Sequence, residues 1–339
     1  MIAGRLGSLG ALLERAMLSL WFAPRASFLQ RLAIAALSPL SWLTAAVARQ
    51  KRVGIRRRPA KHRPAVVVVG NLLAGGTGKT PAVIAIANAM HSRGWQVGVL
   101  TRGYKAESTV ARLVFPASDA KRDGDEPVLI ADRTGLPVAA GNRRDEALKL
   151  LEQAHPQLGL VVSDDGLQHA RLPRTVEIAV FDARGIGNGL LLPAGPLREP
   201  LELVSSADAI LLRAGASLPQ AVRAHCRREQ PVFSFEVSAR GFYRVAMAAA
   251  QAEPIAPAAF ALDCDDKTIA AVAGIARPQR FFQTLRALGL RVREYPLPDH
   301  ARIEPKWLEA IAEPVIVMTG KDAVKCRGFA DARCWMLDV

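Results

Sequence analysis

Val69-Gly70-Asn71-Leu72-Leu73-Ala74-Gly75-Gly76-Thr77-Gly78-Lys79-Thr80-Pro81 stands between a β-rich apolar run, Ala65 to Val69, and a helix-like segment, Ala82 to Arg93. Strand, glycine-rich turn and helix in that order make a phosphate cradle. Glycines let successive backbone N–H groups turn inward on phosphate oxygens, and the helix N-terminus favours the anion. In such a loop Lys79 reaches the β- and γ-phosphates, and the Thr80 hydroxyl is a ligand for Mg2+. The strict pattern wants glycine where Leu73 stands, so Gly75 and Gly76 supply the flexibility, with Thr77 and Gly78 completing the nucleotide-binding set. The expected cofactors are ATP and Mg2+.

Outward from this loop the texture stays α/β. Gln96 to Leu100, Gly159 to Ser163 and Val176 to Phe181 read as further buried strands, and Ala209 to Leu212 extends the series. Strands alternating with helices predict a parallel sheet with its chemistry at the strand C-terminal ends. The Ala/Pro-rich stretch Ala246 to Ala261 breaks the pattern. Thr268 to Ala273, Val292 to Tyr295 and Val315 to Met318 then begin a smaller α/β unit. The expected organisation is an N-terminal helical segment (1–64), a P-loop domain (65–240) and a smaller C-terminal α/β domain (241–339).

Asp164 and Asp165 close the apolar run Gly159 to Ser163. A carboxylate at the end of a strand beside a P-loop is placed to hold the nucleotide's Mg2+, directly or through water. Adjacent Asp residues after a strand also serve as helix N-caps, and the nearby P-loop favours the metal. Gln168 and His169 follow closely enough to reach the same cleft. Three polar, loop-like clusters offer acids for base or metal work and arginine for phosphate. They are Thr101-Arg102-Gly103-Tyr104, Gly124-Asp125-Glu126-Pro127, and Leu192-Pro193-Ala194-Gly195-Pro196-Leu197-Arg198-Glu199-Pro200.

Over 339 residues the formal net charge is +14, which predicts phosphate-bearing partners without choosing among them. Position chooses. Met17 to Phe22 is apolar, and Leu32 to Ala48 carries no charge between Arg31 and Arg49. Immediately after come Arg49, Lys51, Arg52, Arg56, Arg57, Arg58, Lys61 and Arg63, a run that anionic head groups attract by about 1 kcal/mol per residue. An apolar helix with a basic collar predicts a helix lying on a membrane rather than through it. The alternative is a helix packed on the body of the protein beside a solvated linker. Basic residues crowded beside an apolar segment, without interleaved aromatics, argue against nucleic acid. The four cysteines, Cys226, Cys264, Cys326 and Cys334, form no C-x-x-C pair and read as reduced thiols of a cytoplasmic protein.

The succession G-N-L-x-x-G-G-T-G-K-T-P, R-G-Y, G-D-E-P, D-D-G-L-Q-H, L-L-P-A-G-P-L-R-E-P, G-I-A-x-P-x-R-F, P-D-H and K-D-A-V-K runs from Gly70 to Lys325. In that order it resembles the tetraacyldisaccharide 4′-kinase family of lipid A biosynthesis. The resemblance implies transfer of the ATP γ-phosphoryl group to the 4′-hydroxyl of a tetraacylated disaccharide 1-phosphate, giving lipid IV-A. It places the protein peripherally on the cytoplasmic face of the bacterial inner membrane, with no obligate protein partner. It also implies that Asp164, Asp165 and Glu199 surround the metal with Thr80, and that Asp125 is the catalytic base paired with His300. Arg102, Tyr104, His169 and Arg198 go by the same resemblance to the substrate. A pair drawn from opposite sides of a cleft would couple the chemistry to domain closure. Lys105 stands where the family has a further glycine, and Ala301 where it has a second histidine. The competing activity is a membrane-associated P-loop ATPase switch, which needs no acceptor base.

Overall fold

The computed structural model describes residues 16–55, 57, 59, 64–104, 106–108, 110–246 and 253–339. Along the chain run α1 (Phe28–Val53), β1 (Ala65–Gly70), α2 (Lys79–His91), β2 (Val97–Thr101), β3 (Arg112–Val114), α3 (Ala120–Asp123), α4 (Asp125–Thr134) and β4 (Val138–Ala140). Next come α5 (Arg144–Ala154), β5 (Leu160–Asp164), β6 (Val176–Phe181), β7 (Ala209–Arg213), α6 (Gln220–Arg223), β8 (Val232–Phe235) and β9 (Gly241–Arg244). The remainder is α7 (Pro257–Asp263), β10 (Thr268–Ala273), α8 (Pro278–Ala287), β11 (Arg291–Pro296), α9 (Pro305–Glu309), β12 (Ile316–Thr319), α10 (Gly320–Cys326) and β13 (Cys334–Asp338). The architecture is the expected mixed α/β class.

Two compact units form, each from two stretches of chain. One runs to Lys79 and resumes over Asp165–Glu236; the other comprises Thr80–Asp164 and Val237–Val339. In the first, β1, β6, β7 and β8 pair in that order, all parallel. In the second, β2 pairs in parallel with β4 and β5, and β3 runs antiparallel along β4. The second unit also holds a five-stranded sheet in the order β11-β10-β12-β13-β9, with β9 antiparallel. Every residue of β2, β5 and β12 is buried, as strands covered on both faces require.

Helix α1 opens on a capping box: Gln30 N–H donates to Ser27 Oγ and Ser27 N–H to Gln30 Oε1. Only a narrow stripe, Ser41, Ala45 and Ala48, is buried at helical spacing. Phe28, Leu29, Leu32, Leu40, Trp42, Leu43 and Val47 are exposed, Phe28 by 79% and Trp42 by 74%. At 26 residues α1 is long and apolar enough to cross a membrane by length and composition. Of the basic run that follows, Arg56, Arg58, Lys61 and Arg63 lie outside the described residues. Arg49, Arg52 and Arg57 turn back onto the protein, paired with Glu202, with Glu177 and Glu199, and with Asp208. The four cysteines are free thiols.

Tight packing sets one stability expectation. A Cβ at Gly98, in β2, would meet Leu151 Cδ2 at 2.9 Å and Leu158 Cδ1 at 3.1 Å. Gly98→Val should therefore lower stability by about 1–3 kcal/mol through overpacking, read as a lower urea midpoint.

Candidate active site

The loop after β1 is fastened from its own side of the sheet. Gly75 and Gly78 adopt φ of 89° and 85°, a region that side chains avoid, so glycine is required at both. Arg184, anchored by Asp182 at 3.0 Å, donates from Nη2 to the Gly76 carbonyl at 2.9 Å and from Nη1 to that of Ala74 at 3.3 Å. Lys79 Nζ donates to Asn71 Oδ1 at 2.9 Å and lies 3.1 Å from Asp165 Oδ1. Arg198 Nη1 holds both Asp165 oxygens at 3.0 Å. Burial pushes the Asp165 carboxyl up, but the charges of Lys79 and Arg198 outweigh it and hold the group well below the usual carboxylate range. The Thr77 hydroxyl is buried in the loop with no hydrogen-bond partner among the described residues.

In the other unit, Thr80 Oγ1 donates to Asp164 Oδ2 at 3.0 Å. Arg144, itself buried, steadies the end of β5 by donating to the Asp164 carbonyl at 3.2 Å and the Gly141 carbonyl at 2.6 Å. A hydroxyl beside a carboxylate is a hard oxygen donor set, which fits Mg2+. That ion usually takes one or two carboxylates and completes its octahedron with water and phosphate oxygens. Glu199 is held by other parts of the protein. Both of its oxygens are engaged, by Arg52 at 3.2 Å and by Gln168 at 3.0 Å. Its charge is thus neutralised by a guanidinium.

Asp125 opens α4, where acids suit the helix dipole, and its Oδ1 accepts the Glu126 N–H at 2.8 Å. Its other oxygen, Oδ2, is 2.8 Å from His300 Nδ1. Both residues belong to the same compact unit, so the pair is already made and needs no domain closure to assemble it. Burial pushes the Asp125 carboxyl up, yet the His300 contact and the charges of Lys321 and Lys325 hold it below its ordinary value. The edge of the Tyr104 ring packs on His300, centroids 5.3 Å apart, and the Arg102 guanidinium lies 5.7 Å over Tyr104.

His300 and Asp165 are the two non-glycine residues with positive φ among those described, at 59° and 49°. Such strain persists only where neighbours impose it. For His300 the imposition comes from α10, in the K-D-A-V-K motif. Asp322 accepts the Gly274 N–H at 2.8 Å, the Gly274 carbonyl accepts the His300 N–H at 3.1 Å, and Lys325 Nζ holds the Ala301 carbonyl at 2.9 Å. From the same motif Lys321 pairs with Glu126, next to Asp125. Burial alone would lower the Lys321 pKa; Glu126 and Asp125 raise it. One short helix therefore clamps both members of the pair.

The expected residues gather into three groups: Lys79, Asp165 and Arg198; Thr80 and Asp164; Asp125, His300, Tyr104 and Arg102. Gln168 joins Glu199 and the Asn71 carbonyl, whereas His169 contributes its backbone, its carbonyl accepting from Arg174. Sequence reasoning assigned no role to Asn71, Arg184, Arg144, Lys321, Asp322 or Lys325. Asn71, Lys321, Asp322 and Lys325 lay inside quoted motifs. Arg184 and Arg144 had no local signal beyond following a strand or opening a helix.

Comparison with known proteins identifies relatives along almost the whole chain. A family model described as "LpxK: Tetraacyldisaccharide-1-P 4′-kinase" matches residues 33–339. The tetraacyldisaccharide 4′-kinase of Dechloromonas aromatica is 41% identical over 308 residues, covering 89% of this chain and 87% of that protein. The one from Bordetella petrii is 43% identical over 316 residues, covering 89% and 86%. The crystal structure of LpxK from Aquifex aeolicus in complex with ATP superposes with a TM-score of 0.71 at 25% identity, covering 90% of this chain and 93% of the other.

The depressed Asp125 pKa carries a signed expectation. Its contribution to stability is complete above the unfolded carboxyl pKa of about 3.9 and is lost as pH falls through the lower folded value. His300→Ala removes a main cause of that depression. Its urea midpoint, already lower at neutral pH, should therefore fall less steeply than that of the wild type as the pH drops below about 4.

Proposed function

This chain belongs to the LpxK family of tetraacyldisaccharide-1-P 4′-kinases and is an ATP-dependent kinase acting on a lipid A precursor. We propose that the residues gathered above divide the transfer between them. Lys79, with the inward N–H groups of Gly75, Gly76, Thr77 and Gly78, binds the ATP phosphates and neutralises charge as the γ-phosphoryl group leaves. Thr80 and Asp164 hold Mg2+, which when bound shields the phosphate oxygens. Asp165 keeps Lys79 and Arg198 in place beside them, and Glu199 joins from its arginine pair.

The 4′-hydroxyl oxygen of the disaccharide forms the new O–P bond while the bond from the γ-phosphorus to the β-bridging oxygen breaks, releasing ADP. Asp125 takes the hydroxyl proton. A sugar hydroxyl is a poor acid, and in a loose transition state its proton leaves late, so an ionised, oriented carboxylate serves best. His300 orients that carboxylate and shares the incoming proton's charge. Tyr104, Arg102, His169 and Arg198 bind the acceptor around it. The 2.8 Å pairing of Asp125 with His300 carries this reading over an ATPase switch, which needs no acceptor base.

The three parts of the chain, 1–64, 65–240 and 241–339, serve as membrane contact, phosphoryl-transfer module and carrier of His300. The exposed apolar face of α1 rests on the anionic cytoplasmic surface of the bacterial inner membrane, where the lipid-linked acceptor resides. Neither nucleic acid nor an obligate protein partner enters the scheme.

Purified protein given γ-labelled ATP, Mg2+ and the disaccharide 1-phosphate should place label in the lipid. Lys79→Ala should lower that rate by about 100-fold or more, since an oriented charge in the transition state is lost. Asp125→Asn should abolish transfer while ATP still binds; unchanged lipid labelling in this variant would remove Asp125 as the base.

The membrane reading is checked separately. Replacing Leu32, Trp42 and Leu43 by serine removes exposed apolar area and no charge. Binding to vesicles containing anionic phospholipid should weaken by about 100-fold or more in this variant.

A further inference from the structure

Helix α1 does more than present an apolar face, because its last turn is tied to the phosphate loop. Arg52, its penultimate residue, donates from Nη1 to both Glu177 oxygens at 2.9 and 3.0 Å. From Nε and Nη2 it donates to the two Glu199 oxygens, each at 3.2 Å. Gln168 Nε2 donates onward from Glu199 Oε2, at 3.0 Å, to the Asn71 carbonyl, at 3.1 Å. The Asn71 side chain is the acceptor at 2.9 Å for Lys79 Nζ. The path from α1 to the phosphate lysine is thus a chain of hydrogen bonds through Glu199, Gln168 and Asn71.

A second, backbone connection runs alongside. Ser41 Oγ of α1 donates to the Leu191 carbonyl at 2.7 Å, and Trp21 Nε1 donates to that of Pro193 at 2.9 Å. A few residues on, the same segment zips along the phosphate loop. Ala74 N–H donates to the Pro196 carbonyl and Arg198 N–H to that of Leu72, both at 2.7 Å. The segment 191–199 is therefore pinned to the helix at one end and to the loop at the other.

Burial makes the side-chain path obligatory. Glu177 and Glu199 are nearly inaccessible, and carboxylates in that position must be paired. Arg174, wholly buried, satisfies Glu177 at 2.6 Å, while Arg52 is the cation hydrogen-bonded to Glu199 among the described residues. We propose that Arg52 is a positioning residue of the phosphoryl-transfer site. Through Glu199 and Gln168 it fixes Asn71 and so aims Lys79, and α1 must be seated for the lysine to be aimed. This inference rests on the kinase reading given above.

Full-length variants assayed with detergent-dispersed acceptor, well below their melting temperatures, separate aiming from membrane attachment. Arg52→Met and Gln168→Met should each lower kcat about tenfold or more while the KM for the disaccharide stays within about twofold. The double variant should be little worse than the worse single one, because links of one chain are not additive. Arg52→Lys, which keeps a cation for Glu199, should recover part of the rate. Arg57→Met is the control: Arg57 also faces Glu177, at 3.9 Å, but does not touch Glu199, so kcat should stay at the wild-type value. Wild-type kcat in Arg52→Met, or losses that multiply in the double variant, would overturn the proposal. If Arg52→Met fails to fold, Gln168→Met, which strands no charge, decides alone. Wild-type protein that labels no lipid would refute the kinase reading instead.

Discussion

A buried carboxylate must be paired or it will not stay ionised, and in this protein that constraint joins stretches of chain far apart in sequence. Glu177 and Glu199 are met by Arg174 and Arg52, Asp165 by Lys79 and Arg198, Asp125 by His300, and Asp322 by Lys325. Asp132 is met by Arg327, and Asp338 by Arg133. Most of these acids lie at or beside the functional residues. Lys79 and the Asp125–His300 pair are therefore held by contacts that also satisfy inward-facing acids.

Backbone conformation adds a second constraint. The left-handed conformations of Asp165 and His300 are costly for residues with a Cβ, by about 1–3 kcal/mol each. Asp165 follows the end of β5 and turns its carboxylate to Lys79 and Arg198, and His300 turns its ring to Asp125. The turn at His300 is held by its N–H bond to the Gly274 carbonyl, and Gly274 is itself fixed by a buried bond to Asp322 of α10.

Part of the excess of basic residues is used within the fold: Arg52 neutralises the buried Glu177 and Glu199, and Arg49 and Arg57 pair with the more exposed Glu202 and Asp208, although all three sit in a run that resembles a head-group collar. Helix α1 shows a double use. Its small-residue stripe of Ser41, Ala45 and Ala48 lets it approach the segment 191–199 closely, and its large side chains are left outside. The helix that leaves an apolar face exposed is thus also the one hydrogen-bonded to the segment that zips along the glycine-rich loop.

The sequence by itself determined whatever depends on near neighbours. The strand–glycine–helix order around Lys79, the buried strands at β1, β2, β5, β6 and β10, the carboxylates closing β5 and the apolar length of α1 follow from periodicity and from the φ freedom of glycine. Ordered motifs also carried the family. β3 and β4, at three residues each, were not legible, because short strands exist only through the partners that pair with them. The Asp125–His300 bond spans 175 positions and Arg52 to Glu199 spans 147, and no local pattern encodes either. Tertiary structure alone decided that Glu199 faces an arginine, that Asp125 meets His300 without closure, and that α10 clamps them. The reason is physical: which buried charges meet is settled by burial in a common core, a property of the folded chain and not of any segment of it.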